Sequence, residues 1–463
     1  MSEVKLAGAQ SATQLLFRLS EALRTPTESV GTESRFRKSY PLELPRLEAA
    51  RLASDKRVEI ATQLVEGLNE SIVWSEGDRE ESLLDYLKNN IGTALPTISK
   101  SFDGNSGWKP TAVYLGDRFE GSEISALADK LVERRVITQD AGVSLKWIVD
   151  NALADDLLSL SERKIVVFGG GAEMAPTRLW LEAGADVLWF DVQPPPQSWM
   201  DLPNMAGRLT WVEAGADLLT QPAEVVATVL EFANGEPLDL GLYAYAPGQA
   251  RELRLTAVMN AIVAALPQEL VRSVTMLVSP TTPTALQASD LAAAQERLET
   301  MPTFERVAKT LGVFGTRTGY HSTHDAHVTR SVVSIQGTSY QTAQYVAKVL
   351  AAEVWASKGL RVSANTAAIT KTRSLDHPVF AAAFGGAEAL GVETFAPRLS
   401  RRINGLLAVA DWLRPEMPIP GRVRVHGGIH TLPYPLEAGL KIAAGIGFAR
   451  SPRLIAGLFN KGK

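Results

Sequence analysis

The chain has 463 residues, 45% hydrophobic and 21% charged, with a formal net charge of −4. That composition fits a soluble globular protein with length for two or three domains, and the mild acidity argues against general nucleic-acid binding. No cysteine occurs, which excludes disulfides, thiolate zinc sites and thiol catalysis.

Met1-Ser2-Glu3-Val4-Lys5 has neither the basic nor the apolar part of a secretory signal. The longest apolar-leaning window, residues 438–449, carries Lys441 and is too short to cross a bilayer. A cytoplasmic location is therefore the expectation. Residues 1–157 read as a mainly helical accessory region. Apolar residues recur at helical spacing over 12–23 and 47–68. Ser122 is placed to cap one helix, and Asp140 another that runs to about residue 158. Residues 88–107, with Gly, Pro, Ser and Asn, read as loop.

The most informative stretch comes next. Lys164-Ile165-Val166-Val167-Phe168 is an apolar β-type run that enters Gly169-Gly170-Gly171-Ala172-Glu173-Met174-Ala175. A helix is predicted from Pro176 to Gly184, and a second apolar run, Ala185-Asp186-Val187-Leu188-Trp189-Phe190, ends in Asp191. Strand, glycine turn, helix, strand and acid form the layout of a dinucleotide-binding βαβ unit. Glycines let the backbone approach a pyrophosphate, and a helix N-terminus aims N–H groups at its charge. Asp191, roughly 20 residues beyond, is placed to accept hydrogen bonds from a ribose diol. In the pattern G-x-G-x-x-G, Gly169 and Gly171 fit the first two positions and Met174 takes the third. Glu173 is the awkward residue, because a carboxylate repels a diphosphate.

Beyond Asp191 strands and helices alternate. Strands are predicted over 209–212, 238–248 (ending in a small-residue turn), 271–279, 331–337 and 360–365, and helices over 222–232, 251–265 and 340–357. The expectation is an α/β fold. A doubly wound, Rossmann-like parallel sheet spans 158–376 with an insertion at 281–330, preceded by the helical region and followed by a helical C-terminal extension, 377–463.

Over roughly residues 160–375 the chain resembles a divergent short-chain dehydrogenase/reductase. The likeness rests on the Gly169 turn with Asp191, on Ala244-Tyr245-Ala246-Pro247-Gly248 and on the strand ending in Ser279. It rests also on Leu360-Arg361-Val362-Ser363-Ala364-Asn365-Thr366-Ala367-Ala368-Ile369-Thr370-Lys371-Thr372. The resemblance implies cofactor contacts at Gly169, Gly170, Gly171, Glu173, Met174, Asp191, Ala246, Pro247, Gly248 and Thr372, with NAD or NADP bound. Asp191 favours NAD, since a carboxylate repels a 2′-phosphate. It implies a catalytic serine at Ser279. On the family's own glycine spacing, Glu173 and Ala175 stand where glycines are usual.

The family's Tyr-x-x-x-Lys pair is absent. Counting from Ser279 places it near Leu291 and Gln295, and counting back from Arg361 places it near Gln336 and Tyr340. The available substitutes are Tyr340 with Lys348 or Tyr345 with Lys348. His321, His324 and His327 offer another acid/base, or a metal site if a helix gathers them; no metal is expected. Lys371, Arg373, Arg398, Arg401 and Arg402 collect downstream, suited to a phosphate-bearing substrate or carrier. Residues 377–395 look like an apolar lid.

The function expected is an NAD(P)-dependent oxidoreductase acting on a carbonyl, hydroxyl or enoyl group of a small-molecule, hydrophobic or acyl-type substrate. The alternatives are a Rossmann scaffold or nucleotide sensor without turnover, and a transferase using S-adenosylmethionine. A homo-oligomer is compatible with the sequence. So is peripheral membrane contact through the basic tail, residues 439–463, although its glycines and Pro452 favour docking on the protein's own body.

Overall fold

The structure, a computed structural model, describes residues 2–24, 31–104, 107–202, 204–422 and 424–455. Seven strands form its centre: β1 (Thr97–Ser101), β2 (Lys164–Phe168), β3 (Asp186–Phe190), β4 (Arg208–Val212), β5 (Leu238–Leu242), β6 (Val271–Val278) and β7 (Arg361–Thr366). They pair in the order β7-β6-β5-β2-β3-β4-β1. All neighbours are parallel except β1, which runs antiparallel to β4.

The side-chain alternation explains why these runs lie inside. Val166 and Phe168 of β2 enter one hydrophobic core, and Ile165 and Val167 enter the other. A strand covered on both faces has no polar face to show, so it reads as an unbroken apolar run. The first core holds helices α2 (Pro222–Ala233) and α3 (Arg251–Ala265) together with N-terminal residues such as Leu15, Phe36 and Leu64. A composite helix, α4, joins them; it runs through Gly337–Gln341, Thr342–Leu350 and Ala351–Ser357. The short helix α1 (Thr177–Glu182) lies in the second core with helices Ile124–Glu133 and Gln139–Asn151.

From β2 the chain steps to β3 and β4, then crosses back to β5 on the other side of β2. The direction of winding therefore reverses at β2. In open parallel sheets a crevice forms above the carboxyl ends of the strands at such a point, and ligands bind there.

Several elements differ from expectation. The N-terminal region is mixed rather than mainly helical. Strands Glu3–Leu6, Ile72–Glu76 and Arg79–Ser82 make an antiparallel sheet beside helices Ala12–Glu21, Glu33–Leu52 and Arg57–Asn69. The helix expected over 47–68 is thus broken between Leu52 and Arg57. The loop expected over 88–107 supplies edge strand β1. Thr138, not Asp140, caps Gln139–Asn151, accepting from Ala141 N at 3.1 Å. A capping box of Glu120 and Glu123, not Ser122, precedes Ile124–Glu133. The strand expected over 331–337 is absent, because β7 already occupies the free edge of β6. The insertion at 281–330 folds as helices Ala288–Glu299 and Thr303–Thr310 with a hairpin, Tyr320–Thr323 and Ala326–Thr329.

The C-terminal helices are α5 (Pro378–Gly386), α6 (Pro397–Leu413) and α7 (Leu436–Arg450). α5 packs backbone to backbone on α7. A Cβ at Gly447 would lie 1.8 Å from the Ala382 carbonyl oxygen, and one at Gly386 would lie 2.0 Å from that of Ala443. Small residues let helix axes approach this closely. The apolar content expected to form a lid is therefore spent in part on this internal pairing. The Arg373 side chain and residues 456–463, with Lys461 and Lys463, lie outside the described part. Among the described residues no helix is long and apolar enough to cross a membrane.

Candidate functional site

At the carboxyl end of β2, Gly169 adopts φ +80°, and a Cβ there would lie 2.4 Å from the Ala244 backbone. A Cβ on Gly170 would meet the Trp189 ring at 2.5 Å. Both positions need glycine because the turn is wedged between β3 and the chain leaving β5. The Gly169 and Gly170 N–H groups donate to Phe190 O at 2.7 and 3.1 Å. Gly171 N–H donates to Asp191 Oδ2 at 3.0 Å, and Val192 N–H donates to Oδ1 at 2.8 Å. Asp191 thus closes the glycine turn.

The helix expected from Pro176 to Gly184 is shorter than its sequence pattern. α1 has six residues, Thr177–Glu182, and no side-chain cap. Pro176 sets its start, since the residue before a proline disfavours helical ψ. Thr177 Oγ1 donates to Gly170 O at 2.9 Å, tying the helix to the turn. α1 begins at Thr177, one residue after the expected Pro176, so its N-terminus stands beyond the glycines and its dipole acts on the turn from that distance. Glu173 is exposed and Met174 half-buried on the intervening segment.

Beyond β5, Ala246 is half-buried and Pro247 exposed. Gly248, Gln249 and Ala250 then take φ values of +84°, +53° and +54°. Two consecutive non-glycine residues in the left-handed region are strained, a state that persists only where the surroundings impose it. Ala250 is also the N-cap of α3. Through the Gly169–Ala244 contact, this turn and the glycine turn meet where the winding reverses.

At the end of β6, the Ser279 N–H donates to Gln344 Oε1 at 2.8 Å, and its hydroxyl lies 2.7 Å from Thr281 Oγ1. The Tyr340 phenol lies close enough to Ser279 for that residue to influence its ionisation. Lys348 Nζ donates to Leu277 O at 2.7 Å. Positions 340, 344 and 348 of α4 therefore all meet the last residues of β6. The eight-residue spacing works because Thr342–Leu350 is wound as a π-helix. Its i→i+5 bonds take an extra residue, so eight residues serve as about seven, roughly two α-helical turns.

Burial raises the Tyr340 pKa; Ser279 beside it lowers it, while Tyr245 and Glu252 nearby raise it further. Burial lowers the Lys348 ammonium to about 8. Tyr345 points away from β6. It is fully buried and donates to Glu48 Oε2 at 2.6 Å, and that carboxylate is held by Arg51 at 2.8 Å. Of the two tyrosines, Tyr345 belongs to the core, whereas Tyr340 stands near Ser279; Lys348 bonds the backbone of Leu277, two residues before that serine.

The remaining expected residues are dispersed. Thr372 lies in the loop after β7, its N–H donating to Thr370 O at 2.9 Å. Leu291 and Gln295 fall on Ala288–Glu299 in the insertion. His321, His324 and His327 lie on a hairpin instead of a helix face. His324 is at its tip with φ +50°, His321 Nδ1 accepts from Arg330 at 2.9 Å, and His327 Nδ1 lies 2.7 Å from Ser322 Oγ. Among the described residues no three His, Asp or Glu side chains are grouped to hold a metal.

Sequence reasoning missed three site residues. Gln344 stands four after Tyr340, the spacing of the expected lysine, and that spacing was the available signal. Glu252, at 8% exposure, has an Oε2 without a hydrogen-bond partner beneath the strained turn. His430 is buried behind Ser279 and donates from Nε2 to Pro280 O at 2.7 Å. Burial and neighbouring His426 depress its pKa to about 3, which keeps it neutral.

No protein-family model matches the chain, and no curated protein matches it.

Proposed function

We propose that the protein is a Rossmann-type, NAD(P)(H)-dependent oxidoreductase related to the short-chain dehydrogenase/reductases. It acts on a carbonyl, hydroxyl or enoyl group of a small, hydrophobic or acyl-type substrate. The observation that carries the reading is the Ser279–Tyr340–Gln344–Lys348 constellation. It is built from the end of β6 and the helix leading to β7, one strand beyond the crevice at β2 and β5. The strand order β4-β3-β2-β5-β6-β7 is the one associated with dinucleotide binding.

The residues present fit a nicotinamide dinucleotide. Gly169 and Gly170 keep side chains off the turn, and each Asp191 oxygen accepts one backbone bond, leaving lone pairs for a ribose diol. When bound, that cofactor supplies or takes up the hydride. Ser279 orients the substrate oxygen, and Tyr340 holds the proton which that oxygen takes up. The raised Tyr340 pKa keeps the phenol protonated near neutrality, which suits a proton donor and so the reductive direction. Lys348, lowered to about 8 by burial, is the group we assign to resupply that proton. Gln344 fixes the backbone that carries Ser279 and has no proton to exchange.

The second reading is a nucleotide-binding scaffold without turnover, or a transferase using S-adenosylmethionine. It is favoured by Gln344 in place of a lysine and by the six-residue α1. Oxidation of NADH or NADPH with a panel of ketones, aldehydes and enoyl thioesters separates them. Turnover that Tyr340→Phe abolishes supports the oxidoreductase; undiminished turnover in that variant removes Tyr340 from the mechanism.

A further inference from the structure

Four arginines gather beside the glycine turn without an evident structural reason. Arg398, Arg401 and Arg402 occupy the first two turns of the 17-residue helix α6, which has no acidic residue in its first turn. Cations are disfavoured there, because the N-terminal end of a helix already carries partial positive charge. α6 packs directly on the segment after the glycines: a Cβ at Gly405 would lie 3.0 Å from both Pro176 Cβ and Leu179 Cδ1. One turn before Gly405, burial holds Arg401 below the usual arginine range; Arg178 of α1 and Arg398 add to the drop and Glu173 opposes it. Burial lowers Arg402 to about 10, with Arg398, Arg178 and Arg118 adding to the drop and Glu182 opposing it.

These guanidiniums are unevenly compensated. Arg178 Nε donates to Glu182 Oε1 at 2.8 Å, and Glu182 also accepts from Asn204 at 2.6 Å. Arg402 lies over the Trp108 ring at 5.6 Å and donates to Thr111 O. Among the described residues Arg398 and Arg401 make no hydrogen bond or ion pair, although Arg401 is half-buried. Around Arg401 and Arg402 the guanidiniums of Arg178, Arg398 and Arg118 outnumber the carboxylates of Glu173 and Glu182. A local rule broken without compensation inside the protein marks a place where a ligand supplies it.

We propose that Arg178, Arg398 and Arg401 form a phosphate-binding cradle beside the glycine turn, and that it takes the diphosphate of the ligand held by Gly169–Gly171 and Asp191. The proposal rests on the nucleotide reading of that site. A diphosphate bridge carries the double negative charge that the cluster lacks, and guanidiniums match its oxygens in fork geometry. The cradle does the work expected of a helix N-terminus, which the short α1 does not bring to the glycines. It also answers the objection raised by Glu173, whose charge is offset by Arg401.

Isothermal titration calorimetry on the full chain with pyrophosphate, ADP-ribose and adenosine tests it, using wild type, Arg398→Gln/Arg401→Gln and Glu173→Gln. Wild type is expected to bind ADP-ribose with an affinity that falls as salt rises. The double variant should lose about tenfold or more for ADP-ribose and keep its adenosine affinity within about twofold. Glu173→Gln, which removes a negative charge beside Arg401, should tighten ADP-ribose; a weakening counts against the cradle. An unchanged ADP-ribose affinity in the double variant, or wild type binding neither pyrophosphate nor ADP-ribose, overturns it. If adenosine and ADP-ribose fail while pyrophosphate binds through the arginines, the cradle stands and the nucleotide reading falls. Because Arg398 is exposed and Arg401 makes no hydrogen bond, the double variant should melt like wild type, so lost binding reports the ligand and not the fold.

Discussion

Gly169→Ala probes the contact that brings the glycine turn to β5. Two costs add. An L-residue at φ +80° pays about 1–2 kcal/mol for the left-handed conformation. The new Cβ would also sit 2.4 Å from Ala244 N and Cα, so one turn must retreat by roughly 1 Å, and overpacking of that kind costs about 1–3 kcal/mol. The expected destabilisation is about 2–5 kcal/mol. Gly248→Ala is the control: φ is +84°, but nothing lies within 4 Å of its Cβ, so only the conformational cost of about 1–2 kcal/mol applies. Gly445→Ala, in an exposed position of α7 with open space around it, should stabilise by about 0.5–1 kcal/mol. Urea denaturation of the three variants against wild type measures all of this. If Gly169→Ala costs no more than Gly248→Ala, the turn and the chain after β5 are not in contact, and the crevice at the reversal point is misdescribed.

Tyr340→Phe should lower turnover by about 10²–10⁴-fold while sparing NADH affinity. Tyr345→Phe should leave turnover intact and cost about 1–3 kcal/mol, because it removes a buried bond to Glu48. Lys348 gives a pH signature. Its folded pKa of about 8 lies below its ordinary 10.5, so the unfolded chain holds more protons between those values and stability rises with pH across that window. Lys348→Met should flatten the rise, seen as melting temperature against pH. His430 acts on the acid side: depressed from 6.5 to about 3, it withdraws stability as pH falls through that interval, and His430→Gln should blunt the loss.

Much of the sheet was legible because its strands are covered on both faces. Val166, Val187, Leu240 and Val274 are all inaccessible, and burial on that scale leaves only apolar residues in the run. β1 escaped because Thr97-Ile98-Ser99-Lys100-Ser101 is an edge strand paired on one side only, and it stays polar and largely exposed. Val332 and Val333 suggested a strand for the opposite reason. They are buried by separate cores, while the sheet edge they would need belongs to β7. Pro176 marked the start of α1 to within one residue, while its end at Glu182 falls two residues short of Gly184, where the pattern carried it. At the site, Ser279 and Tyr340 were within reach of sequence reasoning. The link to Lys348 rests on a π-turn set by tertiary contacts, and the gathering of arginines on α6 against α1 is long-range and invisible in local pattern.

The central claim is that the crevice over β2 and β5 binds a nicotinamide dinucleotide against Asp191. Thermal unfolding of wild type and Asp191→Ala with NADH, NADPH and S-adenosylmethionine tests it most directly. A ligand at about 100 times its Kd stabilises the folded state by roughly 2.7 kcal/mol, so wild type should melt higher with a nicotinamide cofactor, and Asp191→Ala should lose most of that gain. A melting temperature that neither NADH nor NADPH moves at millimolar concentration would contradict the account.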